Sequence, residues 1–305
     1  MLNVVLDTLV TGLPLVAAYA GVFVLFRVLG DFDLSVDGTF VTGGAVGAAL
    51  LLHGVPAVLC VLAGALAGAV MGLGTALVHL TLRIPILLAG LVMSLALFSV
   101  NLRIMGQPNL SLLTTAGVFQ PFVDLPATQR DLADAGLLFA VDLAVLALLS
   151  LFLRTEIGLA MRATGINPTM ARAQGVSRDF VVALGLMIAN GLAALAGAMT
   201  VQLQGFADVN GGTGTLISGV GALLLGELLL RPAPGRLGRA GAAILTGAVL
   251  YQLVQVVALR LGLAATDLKL VTAVTLIAAV GTRLGVGSLS AWAPRLRAVD
   301  REPAS

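Results

Sequence analysis

Long apolar runs alternate with short polar interruptions along almost the whole chain. Nothing ionised stands between Asp37 and Arg83, taking His53 and His79 as neutral. The same holds between Arg83 and Arg103, between Asp179 and Asp208, and between Arg239 and Arg260. A helix needs about 20 apolar residues to cross a bilayer. The first stretch holds two such helices, broken at His53-Gly54-Val55-Pro56. These segments are too long and alternate too weakly to be barrel strands, and lipid accepts only helices or closed barrels. The pattern predicts nine candidate spans, near 8–27, 36–53, 56–79, 84–104, 134–153, 179–205, 213–230, 240–259 and 265–282. The second and ninth are the weakest, so eight to nine transmembrane helices are expected. The predicted fold is an all-α integral membrane protein, a polytopic bundle. Residues 1–285 form its transmembrane domain and 286–305 a polar cytoplasmic tail.

Composition agrees with the pattern. The chain is 59% hydrophobic and only 10% charged over 305 residues, against roughly a quarter charged in ordinary soluble domains. So few charges cannot cover the surface of a soluble fold of this size. The net charge of +2 does not point to nucleic acid. Cys60, the one cysteine, cannot form an internal disulfide. No positively charged segment precedes the first apolar run, since Arg27 is the first basic residue, so that run is expected to remain as a membrane helix.

The basic residues are sorted by side. With the N-terminus outside, 13 Arg fall on the inner face: Arg27, Arg83, Arg154, Arg162, Arg172, Arg178, Arg231, Arg236, Arg239, Arg283, Arg295, Arg297 and Arg301. Only Arg103, Arg130, Arg260 and Lys269 face outward. That asymmetry fixes the orientation and makes 154–178 cytoplasmic and 106–133 the longest outer segment. "DLSVDGTFVTGGAVGAALL" from Asp33 and "DVNGGTGTLISGVGALLLG" from Asp208 are alike, and start on opposite faces as an inverted repeat does. Chance likeness between Gly/Ala-rich helices is the plainer reading.

Catalytic patterns are missing from the sequence. It has no Gly-x-Ser-x-Gly, no His-Glu-x-x-His and no Walker loop. His53 and His79 stand at span ends as polar caps. Gly64, Gly68 and Gly72 make a smooth helix face, whose plain reading is close packing. Polar groups at lipid depth say more. Asp33, Ser35 and Asp37 lie in a glycine-containing break, Asn101 closes the fourth span, and Asp142 and Asn190 stand inside the fifth and sixth. Either these groups hold helices together or they line a solute path, with the second and fifth spans as the expected walls. Glu227 stands four residues before Arg231, a pairing distance on a helix.

The stretch "RTEIGLAMRATGINPTMARAQGVSR", 154–178, is too polar to span. Asn167 is a good N-cap, Pro168 suits the first helical turn, and Gly175 supplies a left-handed stop. A capped helix of about seven residues, roughly 10 Å long, is expected on the cytoplasmic face. Rigid, basic and held between two spans, it has the properties of a docking element.

Here the chain resembles a known family. Gly158, Arg162, Ala163, Gly165, Asn167, Pro168, Ala171, Gly175 and Val176 look like the coupling loop of ABC-importer permeases of the branched-chain amino acid and ribose type, in which Arg162 and Arg172 are expected to contact the ATPase. "DLSVDG" is similar to Asp-Leu-Ser-Val-Gly in the sugar permeases, with Asp37 where glycine is usual. "LFSVNLRIMGQPNLSLL" resembles the tryptophan- or tyrosine-type branch. The resemblance implies a permease subunit in a bacterial plasma (inner) membrane that pairs with a second permease copy or homologue. It implies ABC ATPase subunits as partners and an extracytoplasmic solute-binding protein that delivers a small organic solute such as an amino acid. No cofactor is expected in this chain, ATP being held by the ATPase. A secondary active carrier using an intramembrane carboxylate such as Asp142 is the competing reading. It has no use for a capped basic helix.

Cysteine-accessibility mapping is expected to label positions in 106–133 from outside and in 154–178 from inside. Labelling of both from one side would sink the span assignment.

Overall fold

A computed structural model describes residues 2–113, 115–231, 237–264 and 267–284. The expected tail at 286–305, with Arg295, Arg297 and Arg301, lies outside the described residues, as does Arg236.

The first crossing is built from four pieces stacked end to end. They are α1 (Leu2–Gly12), a 3-10 turn (Leu13–Leu15), α2 (Val16–Phe23) and a π-helical turn (Val24–Leu29). Pro14 lacks an N–H and sits in the 3-10 step, where the α-helical ladder is interrupted. Gly30, at φ 78°, closes the crossing in the left-handed region. Then come α3 (Ser35–Leu52), α4 (Ala57–Leu82), α5 (Ile86–Met105), the strand β1 (Asn109–Ser111) and α6 (Ala127–Phe152). Pro56, Pro85 and Pro126 stand at the N-caps of α4, α5 and α6 in extended conformation, where proline's restricted φ suits a helix start. Between α6 and the next long helix lie α7 (Glu156–Ile166) and α8 (Pro168–Ala173). The chain continues with α9 (Arg178–Gln204), β2 (Phe206–Asp208), α10 (Thr215–Leu230), α11 (Leu237–Arg260) and α12 (Leu268–Leu284).

Among the described residues, nine apolar segments thus occupy the nine expected positions. Seven helices among them are long and apolar enough to cross a membrane, and the segments in α10 and α12 are shorter. The second span, expected to be weak, is among the seven. The short ones are the seventh and ninth. A mean hydropathy cannot locate a helix start that other protein groups satisfy, and that is the case at α10. Residues 127–133, expected in the outer loop, are helical instead. Thr128, Gln129, Arg130 and Asp131 let α6 rise above the apolar layer, and Arg130 pairs with Asp134 one turn on. Two elements were not expected at all. The helix α7 is one, started by Thr155, whose side chain accepts from the Gly158 amide. The other is the antiparallel pair of β1 with β2, Asn109 opposite Asp208 and Ser111 opposite Phe206, which ties the long outer segment to the loop after α9.

The core forms around α9, which packs against α2, α3 and α4. Small residues let the backbones touch. Gly43 of α3 lies against the Ala194 carbonyl of α9, and Gly197 of α9 against the Phe40 carbonyl of α3. Gly64, Gly68 and Gly72 of α4 pack on α3 and α9, so this face is internal. A Cβ at Gly68 would stand 2.6 Å from the Asn190 carbonyl oxygen. Van der Waals fit of this kind replaces the hydrophobic drive that lipid does not supply. Leu66 of α4, Leu95 of α5 and Leu148 of α6 point outward, each about two-thirds exposed.

Gly68→Val is expected to destabilise the detergent-solubilised protein by about 1–3 kcal/mol, the usual cost of overpacking, read as a lower unfolding temperature. Gly136→Ala, where an added Cβ meets nothing within 4 Å, is the control and does not lower that temperature, alanine being the better helix former.

Candidate translocation path and coupling surface

Polar side chains from distant spans meet where α3 begins. Asp33, fully buried, accepts from the Ser35 amide at 2.8 Å through Oδ1. Its Oδ2 accepts from Ser35 Oγ at 2.6 Å and from Asn190 Nδ2 at 2.8 Å. Thr39 Oγ1 donates to Asn190 Oδ1 at 2.7 Å, and Thr75 Oγ1 of α4 donates to Ser35 Oγ at 3.1 Å. Asn101 of α5 donates to the Gly38 carbonyl at 3.1 Å. Gly90 of α5 leaves room for the Asp33 carboxylate, which a Cβ there would strike. Asp33, Ser35 and Asn190 are therefore one network and Asn101 binds the same helix turn.

Asp37 turns the other way. Its Oδ2 accepts from the Gly214 amide and its Oδ1 from the Leu216 amide, each at 2.9 Å. It thereby satisfies free amides at the start of α10, where the helix dipole also favours a carboxylate. Gly212 rests against the Asp37 carbonyl, where any Cβ would overlap it. These two residues are the fifth positions of the two similar stretches from Asp33 and Asp208, which therefore meet inside the bundle.

Beside Asp37 opens a cavity of about 910 Å³. Its walls come from the first crossing (Thr11, Leu15, Tyr19), α3 (Asp37, Phe40, Val41), the end of α9 (Thr200, Gln204), β2 and the loop into α10. Tyr251, Gln252 and Gln255 of α11 and Lys269 and Thr272 of α12 complete it. Tyr19 and Tyr251 meet edge to face at 6.5 Å, and the Tyr251 hydroxyl lies 2.7 Å from Thr272 Oγ1. The charged lining groups are Asp37, Asp208 and Lys269. Such a volume, mostly apolar with a few fixed polar groups, suits a small organic molecule.

Of the path residues expected from sequence, only Asp37 lines this cavity. Asp33, Ser35, Asn101 and Asn190 are buried behind it. Asp142 is buried in α6; among the described residues its Oδ2 has no hydrogen-bond partner and none from α6 lines the cavity. The expected wall from the fifth span is thus replaced by α10, α11 and α12. Gln202 went unnoticed in the sequence. It accepts from the Val118 amide at 2.9 Å and donates to the Ala57 carbonyl at 3.1 Å, pinning the outer segment to two spans. Glu227 also differs from its local expectation. It takes a two-pronged bond from Arg27, whose Nε lies 2.6 Å from Oε1.

In the segment 154–178, Asn167 Oδ1 accepts from the Met170 amide at 3.0 Å. Pro168 opens α8, six residues rather than seven, and Gly175 follows at φ 84°. Ala171 is buried beneath the helix, while Arg172 is exposed and Arg162 half-buried. Gly158 fits against the Phe152 carbonyl, and Gly165 against the Val28 carbonyl at the end of the first crossing. Ala163 lies half-buried between them in α7. Ile166 and Met170 are left 86% and 57% exposed beside Arg172, an apolar and basic surface on a rigid mount.

Helices long and apolar enough to cross a membrane thus surround an open cavity with a few fixed polar groups, and a capped helix pair stands between α6 and α9. The family model described as branched-chain amino acid transport system / permease component matches residues 4–280. The Tyrosine transport system permease protein of Clostridioides difficile (strain R20291) is 34% identical over 262 residues, covering 86% of this chain and 85% of that protein. An uncharacterised protein of Rickettsia prowazekii (strain Madrid E) is 31% identical over 228 residues, 74% of this chain and 78% of its own length. No solved structure matches the chain significantly. The chain belongs to the branched-chain amino acid transport permease family. It is a multi-pass protein of the bacterial inner membrane and a transport subunit rather than an enzyme.

Asn190→Ala removes one hydrogen bond each from Asp33, Ser35 and Thr39, which keep Ser35, Asp33 and the Val36 carbonyl as partners. Each lost bond is worth about 0.5–1.5 kcal/mol, more where it reaches a charged group. The variant is therefore expected to unfold at lower temperature in detergent by an amount of that order. An unchanged melt would mean that the network contributes nothing to holding α3 on α9.

Proposed function

We infer that this chain is the membrane-spanning permease of an ATP-driven ABC importer, and that its cavity passes an amino acid or a closely related solute. An extracytoplasmic binding protein delivers the solute, and separate ATPase subunits bind and hydrolyse ATP. A second permease copy or homologue completes the pore. The observation that carries this reading is the 154–178 element. It is capped at Asn167 and stopped at Gly175, and it presents Ile166, Met170 and Arg172 outward. A loop that merely joined two spans needs neither the caps nor the exposed apolar pair. The relative from Clostridioides difficile, named for tyrosine transport, supports an amino acid as the solute. The lining supports it as well, since Asp37 and Asp208 offer anionic partners for an ammonium group and Lys269 a cationic partner for a carboxylate.

On this reading the solute enters from outside and occupies the space between Tyr19, Asp37, Tyr251 and Lys269. Closure of the ATPase pair pushes on α7 and α8, and the bundle changes the side from which the cavity is open. Arg172 and Arg162 contact the ATPase. Asn167, Pro168 and Gly175 keep the shape, and Gly158, Gly165 and Ala171 hold the pair to the bundle.

Arg172→Glu is expected to leave the permease inserted and folded while weakening ATPase co-purification and solute-stimulated hydrolysis. Gly175→Val is expected to uncouple transport as well, because a β-branched residue resists the left-handed backbone. If both variants keep the ATPase bound and transport at the parental rate, 154–178 is not the coupling element.

A further inference from the structure

The connection between the first crossing and α3 does more than join them. It begins beneath the docking helices, where the Val28 carbonyl touches Gly165 of α7 with no room for a Cβ. Leu29 packs on Gly185 of α9, close to Met161 of α7. Gly30 then turns the chain back into the bundle. The strap ends at Asp37, which holds the first amides of α10. At the start of the strap, Arg27 holds Glu227 near the other end of the same helix. Two oppositely charged residues ten apart in sequence therefore grip a helix of 16 residues, about 24 Å long, at both of its ends.

The gripped helix is the one that shapes the cavity, since Gly214, Thr215, Ile217 and Ser218 line it. It lies against α11 through Gly226 on the Ala243 carbonyl and Gly247 on the Ala222 carbonyl. Such a smooth seam lets one helix slide on another without unlocking large side chains. A surface ion pair contributes little to stability. A bidentate Arg–carboxylate bond does fix direction as well as distance, and this one joins residues 200 apart.

We propose that the strap from Arg27 to Asp37 is the transmission element of the transporter. It carries displacement of α7 and α8 to α10, so that nucleotide state at the cytoplasmic face sets access to the cavity. The proposal rests on the importer reading and adds to it the route of coupling and the element that moves. Arg27, Glu227 and Asp37 are positioning residues in it, and none is required to contact the ATPase.

The test uses the whole transporter, permease with its ATPase, carrying Cys60→Ala and Ile217→Cys. A charged methanethiosulfonate reagent then probes the cavity with and without ATP–vanadate. The expected result is a labelling rate that depends on trapped nucleotide. Arg27→Gln and Glu227→Gln each abolish that dependence while the ATPase stays bound and its basal hydrolysis persists. The exchange Arg27→Glu with Glu227→Arg brings it back, which a loss of general packing would not. A nucleotide response retained in the single variants, or an exchange no better than either single variant, overturns the strap while leaving the importer intact. Failure of the otherwise unaltered permease to bind an ATPase or respond to nucleotide overturns the importer reading, and the strap falls with it.

Discussion

Two helices of this protein begin inside the bundle, and everything around them follows from how their first amides are satisfied. The opening turn of any helix leaves four N–H groups without partners in the helix itself. Within the apolar layer each unsatisfied group costs several kcal/mol. At α3 the Asp33 carboxylate takes the Ser35 amide, and at α10 the Asp37 carboxylate takes those of Gly214 and Leu216. A buried carboxylate is itself expensive unless it is well bonded. Asp33 has Ser35 and Asn190 for that purpose, and Asp37 has the amides it serves. Each half of the arrangement makes the other affordable.

The packing around these starts is correspondingly tight. Asp33 can reach Asn190 only because α3, α4 and α9 approach at glycine and alanine, with Gly43 on Ala194, Gly197 on Phe40 and Gly68 on Asn190. Close backbones bring Thr75 within bonding distance of Ser35 and Thr39 within bonding distance of Asn190. The bulky leucines go outward to lipid on α4, α5 and α6. The polar network and the small-residue seams are thus two aspects of one constraint. Loosening either leaves the other without its geometry.

That constraint also relates the two ends of the molecule relevant to transport. The cavity lies against the start of α10, and the α7–α8 pair lies against the end of the first crossing. The chain between them is short, is bonded at both ends and turns at Gly30. On the proposed importer reading, a stiff link of this sort joins the site of force to the site of access.

Much was legible in the order of residues alone. Apolar length gave nine segments, and Asn167, Pro168 and Gly175 gave the caps of α8, because both act over a few neighbouring residues. The motif from Gly158 to Gly175 also pointed to the permease family, which the comparisons bear out over residues 4–280. The tertiary structure decided which polar groups meet. Nothing in the spacing pairs Arg27 with Glu227, Asp37 with Gly214 or Gln202 with Val118, since these contacts join residues 84 to 200 apart. The start of α10, the wall of the cavity and the position of Asp142 away from it were hidden for the same reason. Local sequence determines where a helix can lie in a membrane, whereas the partner of a buried charge depends on how the helices pack.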